Sequence, residues 1–258
     1  MDAAASRAST RTRVVVVTGA HGAIGQATAR GFLEAGYGVV GLDREPAVVE
    51  AVGAVGYRGV AVDLRDETAL DRAVAAVGEV GTLAHVVGIA GGALAGEPET
   101  DGDPSALEPR LFRDSIEANL TTQFLVLRAT LSLLRKTDGD RSITLTSSWN
   151  ALSGCGLPAY SAAKAGLIGM MHALVQPLGR EGIRINVVAP GTVRTPRTER
   201  LWRHDPDHFE RLRGSSALGR LATPDDVARA FVALARDLTH VTGHVLVVDG
   251  GQIHHHGS

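Results

Sequence analysis

The sequence predicts an α/β fold: a doubly wound parallel sheet of about seven strands with helices on both faces. Three features of the 258 residues predict it. Short apolar runs recur along the chain, several of them continuous and β-branched, as in strands buried on both sides. Segments with helical spacing separate these runs. The first run breaks into a glycine-rich turn that opens a helix, and the next two runs each end in an aspartate.

The elements follow in order. Val14 to Val17 forms the first strand and stops at Thr18-Gly19; a helix is expected over Gln26 to Ala35, where Ala27, Phe32 and Leu33 have helical spacing. Gly38 to Leu42 ends in Asp43, Gly59 to Val62 ends in Asp63, and Leu83 to Val87 runs into Gly88-Ile89-Ala90-Gly91-Gly92. Further strands are expected at Ser142 to Thr146, Ile183 to Val188 and His244 to Val248. Helices are expected at Phe112 to Leu134, Ala159 to Leu178 and Pro224 to Ala235. Pro177 falls late in one of them, where it removes a backbone donor and favours a kink.

No internal repeat or low-complexity linker interrupts the body, so one domain is expected over 13–252, with a flexible tail at 1–12 and a short tail at 253–258. The Arg/Ser/Thr-rich start has a weak transit-segment composition and reads better as a disordered tail. Two stretches break the rhythm, Ala93 to Pro109 and the highly charged Arg194 to Ser216. Long connections of this kind sit beyond the carboxyl ends of the strands, where ligands bind, and the second is the expected substrate lid.

Composition excludes several functions. Hydrophobic residues at 44% against 21% charged are ordinary for a globular protein, and a formal net charge of -2 provides no basic field for nucleic acid. No apolar run reaches the roughly 20 residues of a membrane span, so no membrane partner is expected. The single cysteine, Cys155, excludes an internal disulfide framework and a Cys-rich metal site and fits a reducing, cytoplasmic setting. His254-His255-His256 lacks companion ligands, and no metal is assigned.

The turn after the first strand carries glycines at 19, 22 and 25. Glycine lets the backbone approach a pyrophosphate, and the helix N-terminus favours its charge. Asp43, closing the second strand, can accept hydrogen bonds from both hydroxyls of an adenosine ribose and repel a 2′-phosphate, which favours NAD(H). Arg44 follows directly and can recruit a phosphate, so NADP(H) stays open. Asp63, at the end of the third strand, lies within reach of an adenine edge.

Tyr160 and Lys164 stand four residues apart in Tyr160-Ser161-Ala162-Ala163-Lys164, so on a helix they share a face about one turn apart. An ammonium near a phenol favours the phenolate and lets the pair exchange protons nearer neutral pH. Carbonyl reduction and alcohol oxidation need that chemistry. Alone the pattern is common on surface helices; the serine pair Ser147-Ser148 upstream and the glycine turn give it weight.

Taken together, these residues resemble the short-chain dehydrogenase/reductase family in its compact, single-domain, Rossmann-like branch, over nearly all of Arg13 to Gln252. The resemblance also includes Asn119 in Glu117-Ala118-Asn119-Leu120, Gly182-Ile183-Arg184-Ile185-Asn186 leading to Pro190-Gly191, and Val248-Asp249-Gly250-Gly251. It implies Tyr160 as general acid/base, Lys164 holding the nicotinamide ribose, Asn119 in a proton relay and a serine steadying the substrate oxygen. Ser147, thirteen residues before Tyr160, has the family's usual spacing and is chosen over Ser148. For the cofactor it implies His21, Ala23 and Ile24 beside the three glycines, and Leu64 beside Asp63. It further implies Gly88 and Ala90 after the fourth strand, and Pro190, Gly191, Val193 and Thr195 along the nicotinamide. A homotetramer or dimer is implied as well.

The chain departs from the family at Ala23, where a glycine is usual, and at Gly88-Ile89-Ala90-Gly91, where Asn-Asn-Ala-Gly is usual. Amides expected to brace the sheet and adenosine are therefore missing. The glycine spacing also fits the larger branch that includes sugar-nucleotide epimerases and dehydratases, but only about 67 residues follow Gly191. A dinucleotide-sensing or scaffold protein that kept the fold without turnover is the other alternative. The expected substrate is a small alcohol or ketone, with Trp149 and Asn150 lining its pocket. In the lid, Arg194, Arg197, Arg200 and Arg203 recur every three residues; on a helix they form a basic stripe through which Arg200 and Arg203 can meet an anionic substrate.

Overall fold

The structure is a computed structural model that describes residues 11–45, 55–96, 103–153, 156–203 and 205–254. Cys155, His255, His256 and most of the expected N-terminal tail lie outside them. Seven strands form one parallel sheet: β1 (Arg13–Thr18), β2 (Gly38–Asp43), β3 (Tyr57–Ala61), β4 (Thr82–Gly88), β5 (Arg141–Thr146), β6 (Ile183–Pro190) and β7 (Val245–Val248). Their order is β3-β2-β1-β4-β5-β6-β7. The direction of winding reverses between β1 and β4, which opens a crevice at the carboxyl ends of those strands.

Alternation along β1 accounts for the two cores. Val14 and Val16 pack with Leu70 and Val74, with Leu134 and with Leu167 and Met171 on one face. Val15 and Val17 pack with Phe32, Val227 and Phe231 on the other. The first face is covered by α2 (Glu67–Ala75), the short α3 (Val77–Val80), α5 (Thr122–Arg135) and α7 (Pro158–Arg180); the second is covered by α1 (Ala23–Glu34) and α10 (Pro224–Arg236). Arg184, mostly buried in β6, ties the second layer down. It forks onto Asp140 at 2.8 and 2.6 Å and donates to the carbonyls of Leu234 (2.7 Å) and Ala235 (3.0 Å) near the end of α10.

Several expectations are corrected. The single helix expected over Phe112 to Leu134 is α4 (Pro109–Ile116), a π-helical turn at Glu117–Thr121, and α5; the extra residue per turn re-aims the chain at Asn119. The third strand is Tyr57–Ala61 rather than Gly59 to Val62, because pairing with β2 starts at Val39 opposite Tyr57. Helix α7 ends at Arg180 rather than Leu178, with Pro177 inside it. The lid region holds α8 (Pro196–Leu201) and α9 (Pro206–Gly214), and α6 (Asn150–Ser153) follows β5. Among the described residues no helix is long and apolar enough to cross a membrane.

Candidate active site

The glycine turn is closed tightly enough to require its glycines. Gly19 has φ 66°, and a Cβ on Gly25 would overlap the Gly19 carbonyl oxygen. Gly22 caps α1 without any side-chain acceptor, and Ala23 and Ile24 open the helix, so the first-turn N–H groups stay available to an anion. Ala23 fills the place of the family's usual glycine as the first residue of α1. Asp43 is bound into this turn: Oδ2 accepts from the His21 N–H (2.9 Å) and Oδ1 from the Arg44 N–H (2.7 Å). The carboxylate thus stands at the crevice end of β2, with the Arg44 side chain exposed beside it.

Asp63 is held differently. Its carboxylate takes a forked contact from Arg65, 2.6 Å at the shortest, and that guanidinium draws its pKa down to about 2 despite opposing desolvation. The Leu64 side chain is buried in the first core, so only its backbone can face a ligand.

The loop after β4 is braced without the expected asparagines. The Thr18 hydroxyl accepts from the N–H groups of Ile89 (3.0 Å) and Ala90 (3.1 Å), bridging β1 to β4 across the crevice. Thr146 Oγ1 donates to the Gly88 carbonyl at 2.5 Å. The buried Gln123 of α5 donates from Nε2 to the Ala90 carbonyl (3.3 Å), while its Oε1 finds no partner among the described residues. A Cβ on Gly88 would lie 2.5 Å from that Oε1, so the Gln123 amide fills the space of a missing side chain. Thr18, Thr146 and Gln123 thus brace the loop from which the usual asparagine amides are absent. The signal for Gln123 was an amide directly before the apolar run Phe124 to Leu127 of α5.

Lys164 is 2% exposed; its Nζ donates to the Thr146 carbonyl (2.8 Å) and lies 5.5 Å from the centre of the Tyr160 ring. Burial lowers its pKa to about 7. Asn119 sits in the π turn and is fully buried. Its Oδ1 accepts from the Gly92 N–H (2.7 Å), and its Nδ2 donates to the carbonyls of Gly92 (3.1 Å) and Ser115 (3.0 Å). Both amide protons are committed, so the Asn119 side chain clamps the β4 loop.

The choice of Ser147 is corrected. Its hydroxyl points toward α7 and donates to the Lys164 main-chain carbonyl at 2.8 Å, which leaves no proton for a substrate. Extended backbone turns neighbouring side chains to opposite sides, and Ser148 makes the other choice: its Oγ contacts Asn150 Oδ1 at 2.9 Å. That side-chain contact is readily exchanged for a ligand. Trp149 is fixed through its N–H to the Pro190 carbonyl (2.9 Å), and it and Asn150 are half-buried at the start of α6.

Across the crevice, Gly191 donates to the Val248 carbonyl (3.0 Å), and Val193 bridges to Ala222. Thr195 serves as the N-cap of α8 in a reciprocal capping box with Thr198. The basic stripe is corrected as well. Only Arg197 and Arg200 lie within the six-residue α8; Arg194 precedes it and pairs with Glu199 (2.8 Å), and Arg203 follows it. Arg197 reaches back to the β4 loop, donating to the Ala93 carbonyl. Arg200 and Arg203 are exposed. Among the described residues no group of three His, Cys, Asp or Glu is placed to hold a metal.

Known proteins share this outline. Residues 19–252 match the family profile described as enoyl-(acyl carrier protein) reductase. The chain is 34% identical over 249 residues to cis-4-hydroxycyclohexanecarboxylate dehydrogenase of Sinomonas cyclohexanicum, covering 93% of this chain and 96% of that protein. It is 31% identical to the 3-oxoacyl-(acyl-carrier-protein) reductase FabG of Escherichia coli, covering 93% and 96%. A crystal structure of an oxidoreductase of the short chain dehydrogenase/reductase family from Burkholderia thailandensis matches with a TM-score of 0.84 at 38% identity, covering 95% of this chain and 94% of that one.

Proposed function

Because the chain belongs to the short-chain dehydrogenase/reductase family, we propose that it is an NAD(H)-dependent oxidoreductase interconverting a secondary alcohol and a ketone, with Tyr160 as general acid/base. The observation that carries this reading is the buried Lys164 beside the Tyr160 ring, at the carboxyl end of the sheet.

The residues fit a nicotinamide dinucleotide. The uncapped first turn of α1 and the side-chain-free Gly19 and Gly25 suit a pyrophosphate, and Asp43 suits two ribose hydroxyls. Asp63 with the Leu64 backbone, and Gly88 and Ala90 opposite, would hold the adenosine side; Pro190, Gly191, Val193 and Thr195 would flank the nicotinamide. Lys164 gives one of its three N–H bonds to the Thr146 carbonyl and keeps two for a ribose. When bound, the cofactor supplies or accepts the hydride.

The chain's own residues manage the proton. In reduction Tyr160 gives its phenolic proton to the carbonyl oxygen, and in oxidation the phenolate removes the alcohol proton. The charged Lys164 stabilises that phenolate. Ser148 holds the substrate oxygen, while Ser147 fixes the helix that carries Tyr160 and Lys164. Asn119 holds the β4 loop, and main-chain groups of the π turn provide the relay to solvent. The relatives' names place a cis-4-hydroxycyclohexanecarboxylate and a 3-oxoacyl-(acyl-carrier-protein) among substrates of similar proteins. An alcohol or ketone carrying a carboxylate or acyl group is the proposed class here, with Arg197 at the cleft mouth placed to meet the acid.

Two exposed apolar surfaces support a homo-oligomer: Phe124 on α5, 45% exposed, and the half-buried edge strand β7. Light scattering on the purified chain tests it. For the catalytic proposal, a carbonyl and alcohol panel assayed with NADH, NAD+, NADPH and NADP+ is expected to show turnover at least about tenfold more efficient with NAD(H). Asp43→Asn is expected to narrow that ratio. Absence of turnover with either cofactor pair overturns the proposal.

A further inference from the structure

Gln252 lies where three parts of the molecule meet and is 3% exposed. Its Oε1 accepts from the Thr192 N–H (2.8 Å), in the turn that follows β6. Its Nε2 donates to the Leu212 carbonyl of α9 (3.1 Å) and to Ser215 Oγ just beyond that helix (3.0 Å). The acceptor half of the amide therefore serves the turn and the donor half serves the lid.

The segment carrying Gln252 is built to hold that aim. Asp249 Oδ1 accepts from the Gly251 N–H and Oδ2 from the Ile253 N–H, both at 2.8 Å, while Gly250 and Gly251 take φ of 63° and 87°. Gly191 packs so closely on this mount that a Cβ there would stand 2.6 Å from the Asp249 Cβ. The far end of the lid is fastened to the same place: Ser216 Oγ and the Leu218 N–H both donate to the Gly250 carbonyl at 3.2 Å.

We propose that Gln252 is a positioning residue that couples the lid to the Gly191–Val193 turn, so that a nicotinamide cofactor lying along the turn orders α9 over the substrate. The inference rests on the dinucleotide site proposed above. Only a primary amide serves both sides. A glutamate keeps the acceptor for Thr192 but loses both donors and sets a carboxylate against the Leu212 carbonyl; a methionine keeps neither.

The test uses the full chain with NADH as probe and NADPH in parallel, reading affinity by fluorescence titration and lid order by hydrogen exchange over 206–216. In the wild type NADH is expected to slow exchange across that segment. Gln252→Glu is expected to bind NADH within about threefold of wild type and to lose the NADH-induced protection. Gln252→Met is expected to lose the protection and to bind about tenfold more weakly, as when one hydrogen bond to a buried N–H is removed. Wild-type protection persisting in Gln252→Glu overturns the coupling and leaves the dinucleotide site standing, even if the variant melts earlier. Failure of the wild type to bind either cofactor overturns both.

Discussion

The Ser147 hydroxyl donates to the Lys164 main-chain carbonyl over 2.8 Å, fastening the end of β5 to the helix that carries Tyr160 and Lys164. Adjacent serines thus do different work. Ser147→Ala is expected to cost about 1 kcal/mol of stability, the worth of a buried hydrogen bond, with little direct effect on chemistry. Ser148→Ala is expected to keep its Tm and lower kcat/KM by about 100-fold, as when a donor to the reacting oxygen is removed. Thermal melts and steady-state kinetics on the two variants check this; the reverse pattern restores Ser147 to the reacting oxygen.

Lys164 is a cation in an unfavourable place, 2% exposed. Its folded pKa of about 7 lies below the ordinary 10.5, so the unfolded chain binds more protons between those values, and stability from this group rises with pH across that window. Below pH 7 its burial penalty is fully present. Lys164→Met is therefore expected to abolish turnover while leaving Tm near neutral pH unchanged or higher, even though Thr146 loses a donor. A large fall in Tm contradicts this account.

Gly88 and Gln123 form a matched pair. Gly88→Asn places a side chain against Gln123 Oε1, and the overpacking is expected to cost about 1–3 kcal/mol. Combined with Gln123→Ala the same asparagine has room, so a double-mutant cycle should show coupling of about 1 kcal/mol or more. Additive effects on Tm and on cofactor KM would remove the pair.

The strands and the position of the crevice were legible because β-branched runs, a glycine turn and Asp43 are local signals; Val14 to Val17 is buried throughout, as its composition demands. What was not legible depends on partners distant in sequence. The register change at Asn119 leaves no mark in a 3.6-residue period, and the roles of Ser147 and Ser148 depend on which one faces α7. Gln123 became meaningful only against Gly88, thirty-five positions away, and Gln252 only against Thr192 and Leu212. The arginine spacing of the lid suggested a continuous helix, which Trp202 ends by closing α8 and packing on His208 and Phe209.

His85 sets an acid limit. It is buried in β4 with Nδ1 2.8 Å from Ser142 Oγ, and desolvation lowers its pKa to about 3. The unfolded histidine, near 6.5, takes up protons first, so stability present above pH 6.5 is lost as pH falls toward 3. Between pH 6.5 and 5, before most carboxylates titrate, the expected loss is about 2 kcal/mol. Denaturant melts of wild type and His85→Gln across that interval check it, and the variant's stability should be nearly flat.

We propose that Tyr160 moves the proton in a nicotinamide-dependent redox reaction. The most direct measurement is carbonyl reduction by NADH, compared between wild type and Tyr160→Phe on the same panel, with NADH affinity measured for both. The expected result is a loss of about 10³-fold in kcat/KM with NADH affinity retained. Turnover by Tyr160→Phe within a few-fold of wild type would contradict the account.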